Sequence, residues 1–318
     1  MKDISILGLG TAAIGRPEYI NIRQEPTEKC SLSNFEKEGL ALLQFAFDKG
    51  IRYFDTAPGY GMAEQMMIKW LKDIEPNTLQ IASKWGYTYT ADFKTNAKIH
   101  EVKEHSIAKL NSQWNVSTAL LPALKFYQIH SATFETQVLD NDSVLNRLSE
   151  LKDKYGLVIG ITTTGYNQVE VFEKAITIEK NGNRLFDLFQ ITYNIFDQSF
   201  ASILHNNNDP KLKIVVKEAL ANGRLFPNNQ FKHYQNTYKC LNRLSKIYNV
   251  GVDAIALRFC IDSIPAFKVL SGASKTEHLI SNLAAVNFEL KTDEIEELKS
   301  HAVNAKLYWT ERKQLKWN

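Results

Sequence analysis

The sequence predicts a single domain, residues 1–318, folded as a closed parallel (β/α)8 barrel of the TIM type with an extra helix and a tail at its C-terminus. Three observations lead there. Eight short apolar runs alternate with segments of helical spacing. Each run is nearly continuously apolar, as strands covered on both faces must be. No G-x-G-x-x-G follows a strand with an acidic residue about twenty positions on, which weakens a doubly wound sheet as the alternative.

ISILGLG is the first strand, with Gly8 and Gly10 permitting close approach of a ligand or a sharp exit. Residues 16–30 hold Pro17 and Pro26 and show no helical or strand period; they read as an ordered excursion over the barrel mouth. Asn34 caps a helix carrying Leu42, Phe45, Ala46 and Lys49 at helical spacing, and Gly50 ends it. The second strand starts at Ile51, and a helix over 63–72 sets Met66, Met67, Trp70 and Leu71 on one face before Pro76. LQIASKW is the third strand, 97–113 a polar helix burying Ile99, Val102, Ile107 and Leu110, and LKFYQIHSA the fourth strand. Asp142 caps a helix to Tyr155, and LVIGITT, a helix over 166–180 and the strand FDLFQITYN follow. LKIVVKEA, the seventh strand, leads through the loop ANGRLFPNN to helices over 234–248 and 252–260. FKVLSG is the eighth strand and 277–286 the closing helix, while 292–300 opens on a capping-box pattern at Thr292. The tail 306–318 packs on the barrel, because Tyr308, Trp309, Leu315 and Trp317 would otherwise be exposed.

With 44% hydrophobic and 23% charged residues, the chain can bury a large core. A formal charge of +3 from scattered basic residues gives no ground for a nucleic-acid partner. Cys30, Cys240 and Cys260 have neither disulfide nor metal spacing. No stretch suits a secretion signal or a membrane span, so the expected compartment is the cytoplasm and the expected state a monomer or small homo-oligomer.

The stretch IRYFDTAPGYGMAE carries the chemistry. A strand delivers Asp55 to its carboxyl end and a tight turn places Tyr60 just beyond, where α/β folds build their sites. Lys84 and His130 likewise close apolar runs. For Tyr60 to act as a general acid near neutrality, its phenol would come down about two pH units from about 10, which takes roughly 2.7 kcal/mol. A lysine cation about 4 Å away supplies on the order of 4 kcal/mol at an effective dielectric near 20, so Lys84 would suffice. Asp55 is the counter-ion that makes Lys84 tolerable when buried, and neutral His130 aims a substrate carbonyl at the phenol.

These residues, together with ILGLGT, FDTAPGYG.AE, SKWG, QIH, FQITYN, ALANGRL and VLSGASKTEHLISNL, resemble the aldo-keto reductase superfamily in its own order from Leu7 to Asn282. The resemblance implies an oxidoreductase that interconverts an aldehyde, ketone or sugar lactol and the corresponding alcohol or lactone, using NADP(H) in preference to NAD(H). It also implies a catalytic set of Asp55, Tyr60, Lys84 and His130. Cofactor contacts carried over are Thr162, Thr163 and Gln190 at the carboxamide, and Leu220, Asn222, Gly223 and Arg224 in the pyrophosphate loop. Ser271, Gly272, Ser274, Lys275, His278 and Asn282 would hold the adenine-ribose end, where exposed N–H groups at a helix start favour an anion and Lys275 favours a 2′-phosphate.

Two departures stand out. Thr162 and Thr163 occupy the place of a usual Ser-Asn pair, and Lys217 that of the aromatic which stacks on the nicotinamide, with Glu218 able to draw its ammonium away and Tyr193 as a substitute packing partner. Substrate choice falls to the loops 16–30, 85–96 and 194–210 and to the tail. Trp85 and Tyr87, with Tyr89, Phe196, Tyr308 and Trp309, are candidates to line an apolar pocket for a small carbonyl or alcohol. The competing readings are an NADP-binding sensor or regulatory subunit with little turnover, and a metal-dependent hydrolase, for which no H-x-H spacing is present.

Overall fold

The structure is a computed structural model, and it describes residues 3–18, 20–22, 31–94, 97–205 and 209–317. In chain order its elements are β1 (Leu7–Gly10), α1 (Leu32–Asp48), β2 (Tyr53–Asp55), α2 (Ala63–Trp70), β3 (Gln80–Trp85), β4 (Tyr87–Tyr89), β5 (Glu101–Lys103), α3 (Ile107–Ser117), β6 (Leu124–Ala132), α4 (Asp142–Tyr155), β7 (Val158–Thr163) and α5 (Gln168–Ile176). They continue with β8 (Glu179–Lys180), β9 (Asn183–Arg184), β10 (Leu188–Thr192), α6 (Ala201–His205), β11 (Lys213–Lys217), α7 (Gln235–Tyr248), α8 (Val252–Ser263), β12 (Lys268–Ser271), α9 (Thr276–Leu283), α10 (Thr292–Lys299) and α11 (Ala305–Gln314). Parallel pairing in the order β1, β12, β11, β10, β7, β6, β3, β2 closes an eight-stranded barrel, with β4–β5 and β8–β9 as separate antiparallel hairpins.

Strand parity divides every barrel strand between two environments. Tyr53, Ala82, Phe126, Leu188, Val215 and Leu270 form one buried cluster, the apolar filling of the barrel interior. Their sequence neighbours, such as Phe54, Ile81, Tyr127, Phe189 and Val216, face the helices in a second, larger core. Above the apolar filling the inward positions turn polar: Asp55, Lys84, Gln128, Thr162 and Gln190 are all buried. The register brings Lys84 beside Gln128 and Thr162 beside Gln190, so one polar layer lies under the mouth. At Gly8 an added Cβ would stand 2.8 Å from the Tyr53 ring and 2.9 Å from Leu270, so this glycine makes room for the interior filling rather than for a ligand.

Several expected elements differ. Residues 97–113 are not one helix: Glu101–Lys103 pairs with Tyr87–Tyr89, the helix begins at Ile107, and Ile99 and Val102 are exposed at 63% and 46%. The helical spacing there was coincidental, and the Ser106 hydroxyl, which accepts from the Lys109 N–H, sets the true start. The helix expected over 166–180 ends at Ile176 and the β8–β9 hairpin follows. Caps fall one to three residues before their expected places. Ser31 caps α1 by accepting from the Asn34 N–H, and Asn141 caps α4. In α10 the Glu294 carboxylate accepts from the Lys291 N–H, because Glu294 stands two residues after Thr292, not three. The first strand starts at Leu7, after a 3-10 turn over Ile4–Ile6. The tail forms a helix of its own, α11, which buries Tyr308 and Trp309. Of the excursion over 16–30, residues 19 and 23–30, Pro26 and Cys30 among them, lie outside the described residues, as do 95–96, 206–208 and 318 of the other expected loops. Cys240 and Cys260 are buried free thiols, and no described helix is long and apolar enough to cross a membrane.

Candidate active site

The turn that carries Tyr60 is locked by close backbone approach. Met62 N–H donates to the Gly15 carbonyl at 2.8 Å, and a Cβ on Gly15 would fall 1.9 Å from the Tyr60 carbonyl oxygen. Gly61 takes φ +63, a conformation that glycine adopts without strain. Only a chain without a side chain at position 15 can seat the phenol over the end of β2.

The four expected catalytic residues converge. Lys84 Nζ forms a fully buried ion pair with Asp55 Oδ1 and donates to the Thr56 carbonyl at 3.1 Å. The other oxygen of Asp55 accepts from Gln190 Nε2 at 2.7 Å. The Lys84 ammonium lies 4.8 Å from the centre of the Tyr60 ring, and the Tyr60 hydroxyl lies 3.3 Å from His130 Nε2. His105 Nε2 donates to the His130 carbonyl at 2.9 Å and steadies the end of β6. Burial, reinforced by Lys84 and Arg16, depresses the His130 pKa well below the usual histidine value, so the ring is neutral.

Tyr60 behaves differently from the expectation. Burial first, and the Asp55 charge second, push its phenol well above 10, while Arg16 pulls the other way. Lys84, whose ammonium lies 4.8 Å from the centre of the ring, is paired with Asp55. The resting phenol is therefore protonated, the state a proton donor needs.

The remaining predicted residues divide. Tyr87 packs its ring 4.7 Å from His130 and lines the site, with burial and Glu101 raising its phenol to about 12. Trp85 does not: strand parity turns it outward, fully buried, 5.4 Å from His105. Phe196 stacks on Tyr234 at 4.1 Å, Tyr308 donates its hydroxyl to Glu218 Oε2, and Trp309 donates to Asp197 while its ring lies 5.8 Å from the Lys217 ammonium. Thr162 Oγ1 accepts from the Ser131 N–H at 2.6 Å on the inward face, whereas Thr163 turns outward to Gln168. Tyr193 also faces outward and stacks on Phe259, so it is not a packing partner inside the mouth. Lys217 points inward and donates to Thr192 Oγ1 at 2.6 Å. Glu218 does not capture it: that carboxylate takes Arg312 at 2.8 Å, and although burial opposes its charge, Arg312 and Lys217 hold it down to about 2.

In the loop after β11, Asn222 donates to the Ile20 carbonyl, and a Cβ on Gly223 would lie 2.4 Å from the Ile22 carbonyl oxygen, so residues 20–22 strap this loop and half-buried Leu220 stands beside it. Arg224 is fully buried on Glu311 and the Tyr308 carbonyl and anchors α11. Ser271 and Asn282 are buried and bonded to each other at 2.8 Å, beneath the turn they were expected to line. The turn itself fits an anion: Gly272 has open space where a side chain would stand, and Ser274, Lys275 and His278 are exposed around the start of α9.

Three buried residues escaped sequence reasoning. Arg16 lies 5.6 Å from the Tyr60 ring centre and pairs with Glu101 at 2.9 Å; a lone arginine in an aperiodic stretch gives no signal. Glu64 accepts from Ser83 and Ser117, and burial raises its carboxyl to about 7. Gln128, beside Lys84, has neither amide atom hydrogen-bonded among the described residues. Glu64 and Gln128 both sit inside motifs already singled out, which was the only available hint. Among the described residues no group of three His, Cys, Asp or Glu could hold a metal ion.

Known proteins resemble this fold along most of the chain. The solved glycerol dehydrogenase AKR11B4 of Gluconobacter oxydans superposes with a TM-score of 0.69 at 21% identity, over 93% of this chain and 90% of its own. The aldo-keto reductase AKR11C1 of Bacillus halodurans gives 0.68 at 21%, over 94% and 93%. In sequence, aldo-keto reductase YhdN of Bacillus subtilis is 23% identical over 87% of this chain and 83% of its own length. The sequence pattern of the Aldo/keto reductase family matches residues 7–303, and the chain belongs to that family of oxidoreductases.

Proposed function

We propose that residues 1–318 work as one cytoplasmic domain that interconverts a small carbonyl compound and its alcohol with NADP(H). The convergence of Tyr60, Lys84, Asp55 and His130 at the barrel mouth carries this reading. The nicotinamide, when bound, supplies or accepts the hydride. Gln190, Thr162 and Lys217 are the inward residues beside which its ring would lie, and Ser274, Lys275 and His278 would meet its phosphate-bearing end. Exposed Lys275 supports a 2′-phosphate, hence NADP over NAD.

Neutral His130 orients the substrate oxygen, and protonated Tyr60 gives it a proton as negative charge develops there. The fixed Lys84 cation, 4.8 Å from the Tyr60 ring, then stabilises the phenolate left behind. Asp55, held by Lys84 and Gln190, keeps that cation in place.

The test is oxidation of NADPH with a panel of activated aldehydes and quinones. Tyr60→Phe should lower the rate at least about a hundredfold while leaving NADPH binding intact. Equal rates in the two proteins would remove Tyr60 from the mechanism. Lys217, where the family resemblance implies a ring-stacking aromatic, favours one second reading, a sensor that binds NADPH without turning it over; saturable binding with no oxidation across the panel would select it.

A further inference from the structure

The His130 ring has no anchor of its own. Its Nε2 lies 3.3 Å from the Tyr60 hydroxyl, and its Nδ1 has no hydrogen-bond partner among the described residues. A histidine is ordinarily aimed by a bond to its second ring nitrogen. Here the aim comes from the backbone at the end of β6 and from the rings packed on it. That backbone is irregular. β6 and β7 pair in step as far as Ile129 and Ile161 and resume at Ala132 and Thr163, so His130 and Ser131 together stand opposite Thr162. Ser131 takes φ +56, a left-handed conformation uncommon for a residue with a side chain. A bulge of this kind re-aims a side chain, and its strain persists only where neighbouring groups hold it.

Three backbone groups of the bulge are held by side chains from other elements. The Ser131 N–H donates to Thr162 Oγ1 at 2.6 Å, Lys103 Nζ donates to the Ser131 carbonyl at 3.0 Å, and His105 Nε2 donates to the His130 carbonyl at 2.9 Å. Lys103 reaches the bulge from β5, directly across the hairpin from Tyr87, whose ring packs 4.7 Å from the His130 ring. One cross-strand pair thus grips both the histidine and the residue after it. Glu135 and Glu101 support the Lys103 charge against its burial.

We propose that Lys103 and Thr162 are positioning residues, which hold the bulge at Ser131 and through it aim the His130 ring at the substrate oxygen. This role rests on the carbonyl chemistry proposed above. It changes the part played by Thr162: the resemblance makes it a carboxamide contact, whereas its oxygen serves the Ser131 N–H. It also gives the hairpin β4–β5, which stands outside the barrel, a share in catalysis. Reacting atoms must meet within roughly 3–3.5 Å, and a displacement of about 1 Å costs on the order of a hundredfold in rate. A bulge released from Lys103 or Thr162 would let His130 drift by an amount that matters.

The experiment uses the full-length protein with Lys103→Met, Lys103→Arg, Thr162→Val and Thr162→Ser, each made in wild type and in a His130→Gln background. It measures kcat, the dissociation constant of NADPH, and the imidazole resonances of 15N-histidine-labelled protein, those of His130 being identified by their loss in His130→Gln. Lys103→Met and Thr162→Val should each lower kcat at least about tenfold, leave the NADPH dissociation constant within about twofold, and move the His130 resonances. Lys103→Arg keeps the donor and Thr162→Ser the acceptor, so both should recover most of the rate. In the His130→Gln background the same changes should cost less than about twofold, since the group they act through is gone. An equal loss of kcat in both backgrounds, or unmoved His130 resonances, would overturn the proposal. A Thr162→Val variant that loses only NADPH affinity would return that residue to the cofactor and overturn its part; should this variant fail to fold, Lys103→Met decides. If wild type reduces no carbonyl in the panel, the oxidoreductase reading falls, and the resonances alone then decide whether Lys103 and Thr162 hold His130.

Discussion

The two walls of the barrel mouth make an instructive contrast. On the wall built by β2, β3 and β6, Asp55, Lys84 and His130 point inward and meet Tyr60, each charge answered by a partner in the same wall or in the polar layer below. On the wall built by β7, β10 and β11, residues expected to share one task divide among several. Thr162, Gln190 and Lys217 face the mouth, Thr163 turns out to Gln168, and Arg224 anchors α11. In the first wall strand parity aims Asp55, Lys84 and His130 inward, and the close approach at Gly15 seats Tyr60. The second depends on a helix that arrives about ninety residues later, since Arg312 of α11 takes Glu218 and Trp309 covers Lys217.

The largest expected effect breaks the first wall. Lys84 is fully buried and pairs with an Asp55 that is 2% exposed, so Lys84→Met leaves a carboxylate without its counter-ion. Removing one partner of such a pair costs about 3–5 kcal/mol. The denaturation midpoint should fall accordingly, and the double change Lys84→Met with Asp55→Asn should recover much of the stability without recovering activity. If the single variant is as stable as wild type, the pair is not the constraint that organises this wall.

A smaller effect comes from behind the same wall. The Glu64 carboxyl is raised to about 7 by burial, against an ordinary value of 4.5, with Ser83, Ser117 and Lys84 opposing the rise. The folded chain therefore keeps a proton that the unfolded chain releases between pH 4.5 and 7. The stabilisation is present below that window and is lost as pH rises through it, by on the order of 3 kcal/mol. Glu64→Gln keeps the shape, needs no proton, and should flatten this part of the stability profile, making the variant the more stable protein at pH 8. Parallel profiles for the two proteins would show that Glu64 ionises as freely in the fold as outside it.

The contrast between the walls also explains what the sequence could and could not say. Eight apolar runs identify the barrel because inward and outward faces are both buried, and a polar residue that ends such a run stands out: Asp55, Lys84 and His130 were legible for that reason. What such runs do not announce is which face a residue takes, and so Trp85, one position beyond Lys84, reads as a pocket residue in the sequence although it faces the outer core. Residues whose partners lie far along the chain were illegible too. Nothing around Arg224 announces its bond to Glu311, 87 residues on. The segment 97–106 carries apolar residues at helical spacing, but Ile99 and Val102 are exposed and Glu101–Lys103 forms a strand, its pairing with Tyr87–Tyr89 outweighing local pattern.

The C-terminal tail touches both walls, which permits a finer test. Its α11 covers Lys217 on the second wall, whereas Trp317 lies over the first, 4.6 Å from the Arg16 guanidinium and stacked at 4.3 Å on His100. Arg16 in turn keeps its bonds to Glu101 and the Gly59 carbonyl. Trp317→Ala therefore removes a cation–π contact and a ring stack without releasing Arg16, and should lower stability by about 1 kcal/mol in thermal or chemical melts. Because Lys217, Arg312 and Trp309 are untouched, NADPH affinity should stay within about twofold of wild type, while any change in rate appears as a raised KM for the carbonyl substrate. A loss of NADPH affinity larger than the change in KM would mean that the tail braces the two walls together, and the division drawn between them would have to be given up.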